Sequence, residues 1–243
     1  MKLNVIGSNS AGNCYVLETH NEALVIEAGR KLSDLKKAID YNISKIRGVL
    51  VSHLHADHAG FIPEYTSAGL TVYTNAETIS HYGIKRNAIA TKPRQVYQAG
   101  GFKFMPFDVV HDVKCFGFLI EHDECGKTVF ITDTHYSPVK FKGLNNIILE
   151  ANYSDAILDN RITRGDLHPA QYVRIKRSHM SLETAIKMLQ ANDLTTVNNI
   201  VLIHLSDGNS DEKGFVNKVS ALTGKSVYAA SKGLVIEFNK TGI

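Results

Sequence analysis

Short apolar runs separated by polar turns extend along most of the chain, and this pattern predicts strands more often than helices. The runs in the first half cover residues 2–7, 14–18, 23–27, 46–51 and 70–74. The runs in the second half cover residues 95–98, 102–107, 115–121, 128–132, 146–149, 200–203, 226–228 and 234–238. Because many neighbouring runs are joined by short turns, hairpins are expected to dominate.

Helical spacing of apolar residues predicts helices between these runs. They cover residues 32–39, 59–68, 76–82, 181–190 and 211–222. In the helix over 181–190 the apolar side chains share one face, and Ser181 is the expected N-cap. Ser33 is the expected cap of the first helix, and Pro63 lies early in the second, where proline is tolerated. The order of elements favours an α/β fold, with two sheets between layers of helices, in a single domain over residues 1–243.

The composition is that of an ordinary globular protein: 243 residues, of which 44% are hydrophobic and 21% charged. A net charge of +3 does not by itself indicate a nucleic-acid partner. No apolar run approaches the roughly 18 residues of a membrane span, and the first residues turn polar too soon for a secretion signal. Cys14, Cys115 and Cys125 form neither a C-x-x-C pair nor a disulfide framework. We therefore expect a cytoplasmic protein with reduced thiols and no membrane partner.

The strongest chemical signal follows the apolar run 46–51, where His53, His55, Asp57 and His58 form an H-x-H-x-D-H motif. Imidazole and carboxylate groups bind zinc, manganese and iron. A strand would turn His58 away from the other three, and a helix would point successive side chains about 100° apart. A loop at the strand end could instead divide the four between two ions about 3.5–4 Å apart. The alternative is a chance group of histidines on a solvated loop.

Other potential ligands also stand where apolar runs end. His111 follows residues 107–110, Asp133 follows the run that ends at 132, and His204 follows 200–203. Each of them alone has an ordinary explanation: a surface histidine, a turn aspartate and a histidine near the core. Together with His53 they place a ligand type at four strand ends, which is where rigid elements position functional side chains.

The H-x-H-x-D-H motif with later strand-end His, Asp and His residues resembles the signature of the metallo-β-lactamase fold, and the resemblance covers nearly the whole chain. Within that fold, residues 7–15 (GSNSAGNCY), 178–181 (SHMS) and 204–206 (HLS) resemble the WalJ/YycJ group of bacterial proteins. That group is associated with metal-dependent nuclease activity on DNA ends. A second similar group is the cyclic phosphodiesterases of phosphonate metabolism. The resemblance implies a four-layer αββα sandwich and two divalent metal ions, zinc or manganese, with iron also compatible.

The resemblance also assigns roles to individual residues. It places His53, His55 and His111 on the first ion, and Asp57, His58 and His204 on the second, with Asp133 bridging them. Glu27 stands where this fold usually has an Asp; a longer Glu either supports a ligand imidazole or shifts the motif and weakens one metal site.

Three features outside the ligand set favour a phosphate-containing substrate. The loop with Ser8, Ser10 and Asn13 could hold an anion, although an ordinary hairpin connection would look the same. His179 could protonate a leaving oxygen, or it could merely border the helix that follows it. Asp57 and His179 are the candidate catalytic residues. The resemblance adds Asn152 as a pocket residue. The cation-rich segment 161–179 could cover the site or present a solvated face.

The leading hypothesis is a dinuclear metal-dependent phosphodiesterase, a DNA exonuclease that uses a metal-bridged hydroxide. DNA would then be held through phosphate contacts, with strong salt dependence. The alternative is a small-molecule phosphodiesterase acting on a cyclic nucleotide or a sugar phosphate. A third hypothesis is a metal-binding regulator without hydrolytic activity, which the intact ligand set disfavours. The sequence leaves the metal, the cleavage polarity and the oligomeric state open.

Overall fold

The computed structural model describes residues 1–241, and within them the chain forms two seven-stranded sheets that pack together between layers of helices. The strands are β1 (Lys2–Gly7), β2 (Cys14–Glu18), β3 (Ala23–Ile26), β4 (Ile46–Leu50), β5 (Val72–Thr74), β6 (Ala88–Ala90), β7 (Tyr97–Ala99), β8 (Phe102–Val109), β9 (Cys115–His122), β10 (Gly126–Ile131), β11 (Asn146–Glu150), β12 (Asn199–Ile203), β13 (Ser226–Ala229) and β14 (Val235–Glu237). The helices are α1 (Leu32–Ala38), α2 (Ala56–Ala59), α3 (Ile62–Ser67), α4 (Ala76–His81), α5 (Asp155–Thr163), α6 (Pro169–Ser178), α7 (Leu182–Gln190) and α8 (Glu212–Thr223), with a 3-10 turn at Ile43–Lys45. The predicted α/β class and sandwich architecture are confirmed.

Each sheet joins three antiparallel strand pairs to three parallel ones. The first sheet runs β14-β1-β2-β3-β4-β5-β6, with the parallel pairs from β3 onward. The second runs β13-β12-β11-β10-β9-β8-β7, with the parallel pairs between β10 and β13. The expectation that hairpins dominate is therefore wrong. All parallel connections except β10–β11 contain a helix, as a parallel crossover requires a long connection.

Both faces of the central strands are buried, which explains why these strands read as nearly continuous apolar runs. Tyr15 and Leu17 of β2 point between the sheets, where Tyr15 lies edge-on to Phe130 of β10 at 5.7 Å between ring centroids. The intervening Val16 points to the opposite face and packs in a cluster with Leu35 of α1. A third cluster joins the outer face of the second sheet to α7 and α8. Burying each large apolar side chain stabilises the fold by roughly 1.5–3 kcal/mol.

Two helix caps test the sequence predictions. The prediction for α7 is confirmed, because the Ser181 side chain accepts a backbone N–H of the first turn at 3.1 Å. The prediction of Ser33 as a cap is wrong, because Lys31 occupies the cap position and Ser33 lies inside α1. The Glu64 carboxylate accepts the N–H of Leu32 at 3.0 Å instead.

The chain after β4 forms two short helices where the sequence predicts one over 59–68. The first, α2, carries Asp57 and His58, so half of the His/Asp motif lies on a helical turn and not in the expected loop. The second, α3, begins after Phe61 and has Pro63 in its first turn. Backbone N–H groups there have no acceptor within the helix, so proline's lack of an N–H costs no hydrogen bond.

Sequence analysis missed three elements. Strand β6 has only three residues, none of them buried, and therefore lacks an apolar signal. The polar segment 155–177 forms α5 and α6, which pack through a small cluster that includes Leu158, Leu167 and Ile175. None of the helices within residues 1–241 has the length and apolarity that a membrane span requires.

Candidate metal centre

The predicted ligands all lie at one edge of the sandwich. His53 follows β4, His111 follows β8, Asp133 follows β10 and His204 follows β12. The carboxyl ends of parallel strands meet at one edge of a sheet, and the two sheets bring their edges together here. Helix α2 adds the rest of the motif from directly after β4.

The first group of donor atoms consists of three imidazoles and one carboxylate. His55 Nδ1 lies 3.0 Å from His53 Nε2 and 3.2 Å from His111 Nε2. The carboxylate oxygen Oδ2 of Asp133 lies 3.3 Å from His53 Nε2. One atom from each of these four residues lies within 4.8 Å of all the others.

The second group shares that carboxylate. Asp57 Oδ2 lies 3.3 Å from both His58 Nε2 and His204 Nε2. The Oδ2 atom of Asp133 is 3.0 Å from His58 Nε2, so it contacts both groups. The structure thus brings together all seven residues that the sequence proposes as ligands, with Asp133 between the two sets.

Glu150 is a site residue that sequence analysis missed. It is fully buried at the end of β11, and its Oε1 lies 2.8 Å from His179 Nδ1 and 3.0 Å from His204 Nδ1. Its Oε2 accepts the backbone N–H groups of Thr134 and Met180. Glu150 directly follows the apolar run 146–149, which is the same strand-end signal that identified Asp133 and His204.

Three of the buried acid and imidazole residues have left-handed backbone geometry, with φ of 68° at Glu27, 46° at Asp133 and 55° at His204. Non-glycine residues rarely adopt this conformation, and such departures cluster at functional sites. Gly29 meets a different requirement, since a Cβ there would collide with the carbonyl oxygen of Asp57. The backbone is thus shaped to bring α2 against the strand ends.

Glu27 supports the motif from beneath. It is fully buried, its Oε2 accepts the N–H of Ser52 at 3.3 Å, and its Oε1 lies 3.6 Å from His58 Nδ1. The Ser52 hydroxyl in turn lies 2.8 Å from His53 Nδ1. The longer side chain thus lies beside His58 without a hydrogen bond to it, because neither Glu27 Oε1 nor His58 Nδ1 has a hydrogen-bond partner within residues 1–241.

Three of the predicted substrate-binding residues hold the site together and do not project into its cleft. The Ser8 hydroxyl accepts the N–H of His204 at 2.9 Å, and Asn152 donates to the His204 carbonyl at 2.7 Å. The Asn13 amide lies 3.1 Å from His58 Nε2 and 3.3 Å from the carbonyl oxygen of Asp57. The side-chain polar atoms of Ser8 and Asn13 are buried and bonded to neighbouring protein atoms. Asn152 is also buried, but it lines a smaller cavity that adjoins the cleft.

A cleft of about 480 Å³ opens above the donor groups. Its walls include His55, Asp57, Asp133 and His204, together with Ser10, His179, Asp112 and Arg174. Ser10 and His179 are therefore the predicted substrate residues that line this cleft. Asp112 was not predicted; its Oδ1 lies 3.0 Å from His111 Nε2, and its side chain is 60% exposed.

The two groups carry protons differently. Burial, followed by the charge of His58, lowers the pKa of His53 to about 4, and burial followed by His53 lowers the pKa of His111 to about 4. Burial opposes protonation of His58 and His204 as well, but the surrounding carboxylates, Asp133 foremost, together outweigh it and raise the pKa of both well above the usual value. His53 and His111 are therefore neutral in the metal-free protein at neutral pH, as metal ligation requires.

The donor set fits divalent metal ions. Imidazole nitrogens and carboxylate oxygens converge. The buried Oδ1 atom of Asp133 lies 2.9 Å from His204 Nδ1 and 3.2 Å from His179 Nδ1, but makes no hydrogen bond of suitable geometry within residues 1–241. Burial disfavours ionisation of Asp133, but His204 and then His58 outweigh it, which lowers the pKa of that carboxyl well below its usual value. A buried anion beside the neutral imidazole of His53 is an environment that a divalent cation stabilises, and the cation would take the place of the protons on His58 and His204.

The sequence profile of the metallo-beta-lactamase superfamily matches residues 8–139. The chain belongs to this superfamily and is a metal-dependent hydrolase. Among curated proteins, it is 27% identical over 227 residues to exodeoxyribonuclease YycJ of Bacillus anthracis, covering 87% of this chain and 85% of that protein. It is 24% identical over 173 residues to exodeoxyribonuclease WalJ of Streptococcus pneumoniae, covering 65% of this chain and 64% of that protein. The predicted resemblance to the WalJ/YycJ group is confirmed.

Solved structures give the same fold. The metallo-beta-lactamase fold protein YhfI from Bacillus subtilis superposes with a TM-score of 0.74 at 19% identity, covering 97% of this chain and 99% of that one. A diphosphatase from the PhnP family superposes with a TM-score of 0.67 at 16% identity, covering 98% and 96% of the two chains. These likenesses support the architecture.

Proposed function

We propose that this protein is a dinuclear metal-dependent phosphodiesterase that removes nucleotides from DNA ends. The observation that carries this proposal is the contact of one carboxylate oxygen, Asp133 Oδ2, with both groups of donors at the floor of an open cleft. Two adjacent donor groups with a shared carboxylate are typical of two-metal hydrolases. The names of the curated relatives YycJ and WalJ favour DNA as the substrate.

His53, His55 and His111 would hold one ion and Asp57, His58 and His204 the other, with Asp133 between them. The chemistry that the ions supply when bound is activation of water near neutral pH and stabilisation of phosphate charge. The donor set accepts zinc, manganese or iron, and the supply of each metal decides between them. The three cysteines are free and buried, which suits a reducing compartment, so we place the activity in the cytoplasm.

The chain itself provides the proton donor. Burial lowers the pKa of His179, but the charges and hydrogen bonds of Glu150 and Asp133 together outweigh it and raise the pKa to about 9. His179 Nδ1 is held by Glu150 Oε1, so the proton available to substrate is the one on Nε2. A protonated imidazole at the wall of the cleft can donate to the oxygen that leaves when a phosphodiester bond breaks.

The decisive test is cleavage of linear double-stranded DNA labelled separately at its 5′ and 3′ ends, with zinc and with manganese. We expect metal-dependent release of one label, and the label that appears first gives the direction. Asp57→Ala should abolish it. Asp123→Ala is the matched control, because Asp123 is an exposed aspartate in the turn at the opposite end of β10 from Asp133.

Two results would contradict this proposal. Cleavage that survives Asp57→Ala would place the activity outside the donor groups. Absence of DNA cleavage with either metal, combined with turnover of bis-p-nitrophenyl phosphate, would favour the small-molecule phosphodiesterase. For that substrate class the cleft of about 480 Å³ is large enough by itself.

A further inference from the structure

A second cavity of about 330 Å³ adjoins the cleft above the donor groups. The two share Ser10, Arg174 and His179 in their walls. The remaining wall of the second cavity is largely polar and includes Gln171 of α6 and Asn209 of the loop after β12. A substrate seated in the cleft could therefore extend past His179 into this second space.

Helix α6 presents one face to both cavities. Gln171, Arg174 and Ile175 are spaced by three and four residues, which places them side by side on the helix. Gln171 and Ile175 line the second cavity, and Arg174 lines both. The position of Arg174 at the boundary makes it a contact for anything that spans the two spaces.

The guanidinium of Arg174 has no hydrogen bond or salt bridge to any group in residues 1–241, unlike most cations around it. Arg161 is held by the carbonyl of Gly208 at 3.2 Å and by Asn209 Oδ1 at 2.6 Å. Lys176 pairs with Asp155 at 3.2 Å. An unpaired, exposed Arg keeps its donors free for a bidentate contact with phosphate.

The part of the cleft that lies away from the second cavity has the opposite charge. Asp112 lines the cleft beside His55 and His111 but not the second cavity. A carboxylate there repels a further phosphate, whereas Arg174 attracts one. A substrate with several phosphates is therefore favoured in one orientation, with its continuation beyond His179.

We propose that the second cavity binds the nucleotide adjoining the scissile phosphodiester, and that Arg174 contacts the phosphate of that nucleotide. This inference rests on the proposed function, because it assigns a subsite to a polynucleotide substrate. Gln171, which is exposed and makes no side-chain hydrogen bond within residues 1–241, supplies hydrogen-bonding groups for the sugar or the base. Arg174 is thus a specificity residue that favours a polynucleotide over an isolated phosphodiester.

The first test compares Arg174→Ala with Arg177→Ala. Arg177 is the matched control, since it is an exposed Arg on the same helix, lies outside both cavities and gives the same change in net charge. For Arg174→Ala, the kcat/KM for a single-stranded oligonucleotide divided by that for bis-p-nitrophenyl phosphate should fall roughly tenfold. Arg177→Ala should leave the ratio unchanged. An unchanged ratio in Arg174→Ala, or an equal loss in both variants, would overturn the subsite.

The second test measures binding without catalysis. Fluorescence anisotropy of a fluorescein-labelled single-stranded oligonucleotide is recorded with metal-free protein in EDTA over a range of salt concentrations. Losing one phosphate contact should reduce the slope of log K against log salt by about 0.7 in Arg174→Ala, and not in Arg177→Ala. If the wild type cleaves no DNA but this slope still depends on Arg174, the exonuclease proposal fails and the subsite stands. A slope that is the same in wild type and Arg174→Ala would refute the subsite.

Discussion

The carboxylate of Glu150 lies 2.8 Å from Nδ1 of His179, and the carboxylate is fully buried while the imidazole faces the cleft. Glu150→Gln keeps the shape and removes the larger of the two charges, those of Glu150 and Asp133, that raise the pKa of His179 to about 9. The pKa should then fall towards its usual value. Because His179 acts while protonated, the alkaline limb of the kcat–pH profile should move to lower pH, and kcat should fall roughly a hundredfold.

The control for this variant is Glu77→Gln, because Glu77 is an exposed residue of α4 outside the cleft. It should keep the wild-type profile. A Glu150→Gln protein that loses activity but keeps the position of the alkaline limb would show that Glu150 acts through its contacts with His204 and the backbone, and not through the pKa of His179.

Metal removal should lower the thermal stability. Asp57, Asp133 and Glu150 bring three carboxylates together, and in the metal-free protein the neighbouring imidazole of His204 contacts all three. A metal at a hundredfold excess over its Kd stabilises the fold by about 2.7 kcal/mol per site. Calorimetry should therefore show a lower Tm after chelation and recovery when zinc or manganese is returned. A Tm unaffected by chelation and metal addition would contradict the fit of the site to divalent ions.

Glu27→Ala should weaken both the fold and metal binding. The change leaves the buried N–H of Ser52 without its acceptor, which costs about 1–3 kcal/mol in the free energy of unfolding. It also removes the carboxylate beside His58 Nδ1, and loss of such support typically lowers metal affinity 10–100-fold. Denaturant unfolding and competition with a metal indicator measure the two effects. Glu27→Gln separates them, because it keeps an oxygen acceptor and loses only the charge.

The cysteines should resist alkylation in the folded protein. Burial raises the pKa of Cys14 to about 12 and that of Cys125 to about 11, so the reactive thiolate is scarce even at mildly alkaline pH. Unfolding returns each pKa to its usual value and exposes the sulfur. Labelling with iodoacetamide, followed by mass spectrometry, should be at least roughly a hundredfold faster in guanidinium chloride than in buffer. Rapid labelling of the native protein would show that these segments open readily.

The strand-end ligands could be predicted because each one follows an apolar run in the sequence. His53, His111, Asp133 and His204 all carry this local signal, and the structure brings them together. The inward roles of Ser8 and Asn13 could not be predicted, because a polar loop reads the same whether it faces solvent or folds over a histidine. Those roles depend on contacts between segments far apart in the chain.

The same distinction holds for the fold: features encoded by neighbouring residues could be predicted, whereas features that depend on contacts between distant segments could not. The apolar face and the cap of α7 are encoded within ten residues, and the prediction was accurate. Parallel pairing was missed because it depends on which strands become neighbours after the helices have packed. The cap of α1 was missed for a related reason, since Glu64 reaches Leu32 from another helix.

The hydrogen bond from His204 to Ser8 joins residues that are 196 positions apart, and the two donor groups draw on both sheets. Contacts of such long range form late, because the loop-closure entropy must be overcome before they contribute stability. A refolding chain can therefore collapse and form its local helices while it still lacks a high-affinity metal site. Tight metal binding is therefore expected only after the two sheets have docked. Metal uptake followed during refolding would report when folding is complete.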